Sequence, residues 1–433
     1  MPADSSKPGD VCPEPPEACV LPLTDRERLE PPERPSPVAR RNVRLLAVCQ
    51  ALAMTANSLV LSTSALVGVA LASRPGLATL PIALQFLATM LATIPASLLM
   101  GRIGRRGGFL VGAALGIVAG VLASIGILRA DFALFCVGAV FVGTFNAFGN
   151  YYRFAAVDTA GKAFAGRAVS YVLAGGVVAA FAGPNLAAAT RALLPSFEFA
   201  GSYLAVIAVY FAAFATVLFV DIPRPARTAV AETSRPLRVV ARQPAFVVAV
   251  LSGMLGYGVM SLVMTATPLA MKAGQYSFGS TAFVIQWHVV GMFAPSFVTG
   301  RLISRFGVTR IMLVGAILET ACVVVNLTGE GIGQFWASLV LLGVGWNFLF
   351  IGATTMLTGT HTEAEKARTQ AMNDFLIFTT VTLASLSAGV LQASLGWRAV
   401  NLGVLPLVLV ILGSLAWYRR RSVRDARAST APH

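Results

Sequence analysis

Long apolar stretches separated by short polar ones follow one another from Val43 to Trp417. Each has about 18 or more predominantly apolar residues, enough to cross a hydrocarbon core of roughly 30 Å as a helix. A helix is required because lipid satisfies no backbone N–H or C=O groups. The pattern predicts an all-α membrane protein with twelve transmembrane helices, at residues 43–72, 77–100, 109–128, 132–150, 168–190, 200–220, 245–271, 281–300, 310–329, 334–359, 370–395 and 399–418.

Composition agrees with the pattern, because 56% of the 433 residues are hydrophobic and only 12% are charged. A soluble domain has too little interior to hide this much apolar surface, so a soluble fold is excluded. The lipid bilayer is therefore the first partner that the sequence implies.

Positive charge is distributed unevenly between the two sets of predicted loops. If the N-terminus is cytoplasmic, 28 of the 33 Lys and Arg residues lie on the inner side. The positive-inside rule then places both termini in the cytoplasm, and the chain is expected in the inner membrane. Topology and anionic lipid account for the net charge of +14, so no nucleic-acid partner is expected.

The predicted helices fall into two related sets of six. The segment ALAMTANSLVLSTS, from Ala51, aligns with LSGMLGYGVMSLVM, from Leu251, at a repeat of about 200 residues. We therefore expect two pseudo-symmetric halves, with polar segments before, between and after them. The boundaries are a disordered cytoplasmic tail at 1–42, a first half at 43–220, a cytoplasmic linker at 221–244, a second half at 245–418 and a basic cytoplasmic tail at 419–433.

Each half has a Gly- and Arg-containing loop after its second helix, GRIGRR from Gly101 and GRLISRFG from Gly300. These loops resemble the cytoplasmic signature of the major facilitator superfamily, although Gly101 and Ser304 replace its Asp. The resemblance covers about residues 43–418. It implies parallel halves around a central substrate site that is reached alternately from each side of the membrane.

The sequence contains no nucleotide-binding Gly-x-x-x-x-Gly-Lys-Ser/Thr loop and no Asp-Lys-Thr-Gly phosphorylation motif. We therefore expect no enzymatic activity and no resident cofactor, and transport driven by a gradient or by downhill flux.

Candidate chemistry lies on the seventh and eighth predicted helices. Met260 and Met264 are four residues apart on one helix face, and so are His288 and Met292. In adjacent antiparallel helices, Met264 and His288 would each lie roughly 10 Å below the outer boundary, and Met260 and Met292 roughly 16 Å. Three thioethers and one imidazole form a soft, neutral ligand set that selects Cu(I). Met is also a common core residue, so the pattern predicts a metal site without proving it.

The two motifs, Met-x-x-x-Met followed 24 residues later by His-x-x-x-Met, resemble those of the CcoA copper importers, a branch of the same superfamily. The resemblance implies that Met260, Met264, His288 and Met292 bind copper as a transported substrate. It also implies import across the inner membrane, delivery to a cytoplasmic copper acceptor, and supply of cytochrome oxidase assembly.

Two other interpretations remain open. The same branch includes riboflavin transporters, for which a cavity lined by aromatic and amide side chains would matter more than the thioethers. A copper sensor or chaperone subunit without flux is the alternative of a different class. The polar candidates for lining a cavity are Asn57, Gln85, Asn146, Tyr171, Gln286, Trp287, Asn347 and Asn373, and Glu319 is a candidate proton carrier.

Labelling with a membrane-impermeant thiol reagent tests the orientation. Applied from the periplasm, the reagent should modify a cysteine placed at Gly274, in a predicted outer loop, and spare one placed at Ala229, in the linker. The reverse labelling pattern would overturn the predicted orientation.

Overall fold

The computed structural model describes residues 36–160, 165–222 and 235–429, and within these ranges it is helical and contains no strand. The tail with Cys12 and Cys19, most of the linker, and residues 430–433 lie outside the described residues. The helices are α1 (Pro37–Leu71), α2 (Leu80–Leu128), α3 (Phe132–Gly149), α4 (Tyr152–Ala160), α5 (Ala165–Thr190), α6 (Ala200–Leu218), α7 (Leu237–Ala241), α8 (Pro244–Ala273), α9 (Phe278–Phe293), α10 (Ser296–Phe306), α11 (Val308–Thr328), α12 (Ile332–Thr358) and α13 (Glu363–Ser429).

All twelve predicted spans are found as helices. Within the described ranges, eight helical stretches are long and apolar enough to cross a membrane, and the bent pair α9–α10 makes a ninth. Two of the eight, α2 and α13, each contain two predicted spans, joined at Gly104 and Gly396, where the backbone leaves the helical conformation. The remaining predicted span is α5.

The two arms of α2 run in opposite directions, as their contacts with α3 show. Thr89 in the first arm donates a hydrogen bond to the carbonyl of Gly143, and Thr93 accepts one from Tyr151, so this arm runs parallel to α3. In the second arm the order is reversed, because Phe148 packs near Gly112 and Phe135 packs near Gly126. The long helix is therefore two membrane spans with a sharp reversal.

Gly104 and Gly307 make equivalent breaks in the two halves. Their φ/ψ values are 83°/159° and 85°/146°, a conformation that strongly favours glycine because it has no Cβ. Each glycine lies between the second and third spans of its half, about one sequence repeat from the other. The two halves therefore share a local backbone conformation as well as a sequence pattern.

Each half has its own hydrophobic core. Tyr203, Tyr210 and Phe145 are fully buried in the first half, while Met271 and Phe335 are fully buried in the second. Smaller buried clusters, such as Ala180 with Ile285 and Val289, join the two halves.

The halves meet at the end of the bundle that contains the turns 72–79, 191–199 and 274–277. We call it the opposite end, because it lies opposite the Arg-rich end of the bundle. Asn185 donates a hydrogen bond to Gln286 at 2.6 Å, and the rings of Phe199 and Phe278 lie 5.1 Å apart. The other end contains the Arg-rich loops 101–107 and 301–307 and is called here the basic end. The contacts close the space between the halves at the opposite end.

An ion pair ties the linker to the basic end. The guanidinium of Arg235 donates to both carboxylate oxygens of Glu365, each at 2.7 Å, and the Thr362 N–H donates to the same group. These hydrogen bonds favour the charged carboxylate, so they hold the pKa of Glu365 well below its usual range. The last part of the linker is therefore fixed against the start of α13.

Asn347 stabilises the bend between α9 and α10. A proline at residue 295 interrupts the helical hydrogen bonds there, and the two helices differ in direction by 42°. The Asn347 amide donates to the Met292 carbonyl and to the Ser296 hydroxyl, both at 2.6 Å, and accepts from Thr299 at 2.7 Å. It supplies partners to polar groups that lipid would leave unpaired.

Replacing Asn347 with leucine should lower the free energy of unfolding by about 2 kcal/mol, because buried polar groups at the bend lose their partner. Denaturation of the purified protein in detergent measures the change. Asn373→Leu is the matched control, since the Asn373 side chain donates only to its neighbour Asp374 in the described structure. Equal stability of the two variants would contradict this role.

Candidate substrate cavity

A central cavity lies between the two halves. It is lined from the first half by α1, α2, α3 and α5, and from the second half by α8, α9, α12 and α13. Asn150, at the end of α3, is exposed and belongs to the lining, so the cavity reaches towards the basic end. The lining residues are Gln50, Ala53, Met54, Asn57, Ser58, Leu61, Phe86, Thr89, Asn146, Gly149, Asn150, Ala179, Tyr257, Met260, Ser261, Met264, Thr265, Val289, Met292, Phe293, Trp346 and Phe378.

The first helix of each half contributes one continuous face to this cavity. In α8, the lining residues recur at intervals of three and four, at positions 257, 260, 261, 264 and 265. In α1 they do the same at 50, 53, 54, 57, 58 and 61. This spacing is one face of an α-helix, so α1 and α8 occupy equivalent places beside the cavity.

Three amides form the polar side of the cavity. The Asn57 carbonyl oxygen accepts hydrogen bonds from Gln85 at 2.7 Å and from Asn146 at 3.0 Å. Asn57 and Asn146 line the cavity, whereas Gln85 is buried behind them. The shared acceptor fixes the orientation of both neighbouring amides, so the first half offers preset polar groups to a substrate.

Aromatic rings form the facing wall in the second half. Tyr257 packs edge to face on Trp346 and on Phe350, with ring centroids 5.2 and 5.7 Å apart, and Trp346 stacks on Phe350 at 4.9 Å. Phe293 lies 6.5 Å from Trp346. Tyr257, Trp346 and Phe293 border the cavity itself. We call these four residues the aromatic wall, an apolar surface of packed aromatic rings that offers contacts to a planar ring system.

The four predicted copper ligands are only partly brought together. Met260, Met264 and Met292 line the cavity. His288 is buried and is not a lining residue; its Nδ1 lies 2.8 Å from the Leu339 carbonyl of α12, and its Nε2 has no partner among the described residues. Of the four predicted ligands, the three thioethers on α8 and α9 therefore line the cavity. The imidazole of His288 instead makes its hydrogen bond to α12.

Among the other polar candidates, only Asn57 and Asn146 belong to the described lining. Tyr171 is exposed. Gln286 bonds to Asn185 across the halves, and Asn347 holds the α9–α10 bend. These side chains, like Trp287 and Asn373, are absent from the lining because helix rotation, which sequence depth does not specify, turns them elsewhere.

The aromatic wall and most of the α1 face are not among the residues that the sequence predicted. Tyr257 lies three residues before Met260, and this spacing in the sequence places the two residues on one helix face. Trp346 and Phe293 give no comparable signal, because aromatic residues are common in apolar helices and only packing decides which of them border a cavity.

The cavity is large, and its described lining is uncharged. The cavity volume is about 200 Å³. On the same measure one water molecule needs only about 10–15 Å³, so the cavity has room for a much larger molecule. None of the described residues that line it is charged. In the described ranges, no cluster of three or more His, Cys, Asp or Glu side chains could hold a metal ion.

Comparison with known proteins gives consistent results. The family model described as Major Facilitator Superfamily matches residues 254–432. A riboflavin transporter of Brucella anthropi, RfnT, is 42% identical over 376 residues, covering 86% of this chain and 94% of its own length. The uncharacterized MFS-type transporter YdeG of Bacillus subtilis is 28% identical, covering 90% of this chain and 94% of its own.

A solved structure shows the same fold. The crystal structure of the nucleoside transporter NupG, determined for a single-residue mutant, superimposes with a TM-score of 0.67 over 86% of this chain and 99% of the other, at 12% identity. Together, the fold and the relatives are those of transporters rather than enzymes, and such transporters generally need no cofactor.

Proposed function

The chain belongs to the major facilitator superfamily, and on that premise we propose that it transports riboflavin or a close flavin relative through the central cavity. The observation that carries this proposal is the 42% identity to a riboflavin transporter along 86% of the chain. At this coverage the similarity extends into both halves of the chain.

The chemistry of the cavity supports a flavin. Riboflavin is an uncharged molecule with a planar three-ring system, an imide edge and a hydroxylated side chain. The aromatic wall offers rings on which a planar system stacks, and Asn57 and Asn146 offer amides for carbonyl, imide or hydroxyl groups. A neutral substrate also matches the described lining, which contains no charged side chain.

Contacts between the halves suggest how the substrate passes. The opposite end is closed by contacts such as Asn185–Gln286, and the cavity extends towards the basic end. Because Lys and Arg are concentrated on one side, we place the basic end and both termini in the cytoplasm and the protein in the inner membrane. The structure then corresponds to an inward-facing state, and import requires the halves to separate at the opposite end.

Replacing Trp346 with alanine should raise the KM for riboflavin at least about fivefold, because stacking on one aromatic ring contributes roughly 1–3 kcal/mol. Uptake of radiolabelled riboflavin by cells that cannot synthesise it measures the effect. Trp336→Ala is the matched control: Trp336 is also in α12, but it packs against Trp287 and does not line the cavity.

Membrane abundance of both variants, measured by immunoblot, separates loss of transport from loss of folding. A Trp346→Ala variant that is abundant and takes up riboflavin with the wild-type KM would contradict the role of the aromatic wall.

Import of Cu(I) is the second candidate function, and one observation favours it. Met260, Met264 and Met292 line the same cavity, and soft thioethers suit Cu(I). His288 would have to turn from its bond to Leu339 to complete the predicted set. A cytoplasmic copper acceptor and supply of cytochrome oxidase assembly belong to this candidate alone.

The variant Met264→Leu separates the two candidates. It nearly preserves volume and should cost less than about 1.5 kcal/mol of packing, so the protein should still accumulate in the membrane. For a flavin carrier, we expect riboflavin uptake within about twofold of wild type and no change in cellular copper, measured by mass spectrometry. Loss of copper accumulation with normal riboflavin uptake would instead establish the copper function.

A further inference from the structure

An unpaired carboxyl group lies inside the second half, away from the cavity lining. Glu319 is midway along α11 and has no exposed surface. Neither of its carboxyl oxygens has a hydrogen-bond partner among the described residues. An ionised carboxylate without a partner is very costly in such a place, whereas a protonated, neutral acid is tolerated far better.

Two glycines lie against this side chain. A Cβ atom on Gly256 of α8 would lie 3.6 Å from Glu319 Oε1, and one on Gly345 of α12 would lie 3.0 Å from Glu319 Cγ. Each glycine directly precedes a member of the aromatic wall, since Tyr257 follows Gly256 and Trp346 follows Gly345. The carboxyl group therefore lies where α8, α11 and α12 meet, beside the backbone segments that carry Tyr257 and Trp346.

Among the described residues, no ion-pair partner is found for Glu319. In the described structure, α12 has no charged residue, α8 has only Lys272 in its last turn, and α11 has only Arg310 in its first turn besides Glu319. The ionisable group that interacts with the carboxyl is the thiol of Cys322, one turn further along α11. On α8, Tyr257 directly follows Gly256. The second arm of α13 meets α11 through the amide pair Asn401–Asn326, with Arg398 one turn away on α13.

Building on the proposed transport of a flavin, we infer that Glu319 is the proton-binding site that couples substrate import to a proton gradient. In the packed arrangement of α8, α11 and α12, the carboxyl group holds a proton and is neutral. Movement of the aromatic wall opens the junction to water, where the carboxylate ion is stable and the proton is released. One proton is taken from water on the outer side and returned to water on the inner side in each cycle.

Proteoliposomes containing the full chain test the coupling. Riboflavin uptake is measured with and without an imposed pH gradient, acidic outside, and riboflavin exchange is measured without a gradient. For wild type, we expect the gradient to stimulate uptake several-fold. The isosteric variant Glu319→Gln should lose this stimulation while exchange continues, and full stimulation in that variant would overturn the inference.

Two controls complete the design. Glu330→Gln removes an exposed carboxyl group at the end of the same helical hairpin and should leave the stimulation at the wild-type level. Glu319→Asp keeps an ionisable group and should restore part of the stimulation that Glu319→Gln loses.

A measurement without substrate distinguishes failure of this inference from failure of the proposed function. Infrared spectroscopy of the purified protein should show the C=O stretching band of a buried, protonated carboxylic acid in wild type and in Glu330→Gln, and no such band in Glu319→Gln. Absence of the band in wild type would overturn the proton site, whatever substrate the protein carries. Presence of the band together with absence of riboflavin transport would overturn the flavin proposal alone.

Discussion

Polar groups inside a bilayer have to find partners within the protein, and this constraint determines the main features of the structure. It makes every span a helix, and it requires the groups freed at the α9–α10 bend to be bonded by Asn347. It also explains why Asn57, Gln85 and Asn146 form one hydrogen-bonded group beside the cavity. The carboxyl group of Glu319, which has no partner among the described residues, is a notable exception, and an exception of this kind usually has a function.

The same constraint explains why the spans could be predicted well from the sequence. Apolar length is a one-dimensional property, so it predicts all twelve spans, and the repeat is visible in the sequence as similar residues about 200 positions apart. The structure adds what length does not contain: the equivalent turns at Gly104 and Gly307, and the break in the helical backbone at Gly396 between the last two spans.

The cavity could be predicted only in part, because its lining depends on helix rotation. Met260, Met264 and Met292 were identified from spacing on α8 and α9, and they line the cavity. His288 has the expected depth, yet its imidazole bonds to Leu339 of α12. The aromatic wall combines residues from α8, α9 and α12 whose proximity is set by tertiary packing. A local motif therefore indicated where the cavity lies more reliably than what it binds.

The choice between flavin and copper depends on which lining groups make the decisive contacts. Thioethers are apolar and polarisable, so they pack well against a flat ring system as well as binding a soft metal. The same three methionines are therefore compatible with both candidates. The aromatic wall and the amides are required only for an organic substrate, and together with the similarity to a riboflavin transporter they favour the flavin.

Titration of the purified protein with riboflavin, followed by flavin fluorescence, tests the central claim most directly. Stacking of the flavin ring on Trp346 or Tyr257 should quench its fluorescence in a saturable way, with about one flavin bound per chain, and Cu(I) should not compete. Absence of saturable quenching, together with binding of one Cu(I) per chain, would contradict the account.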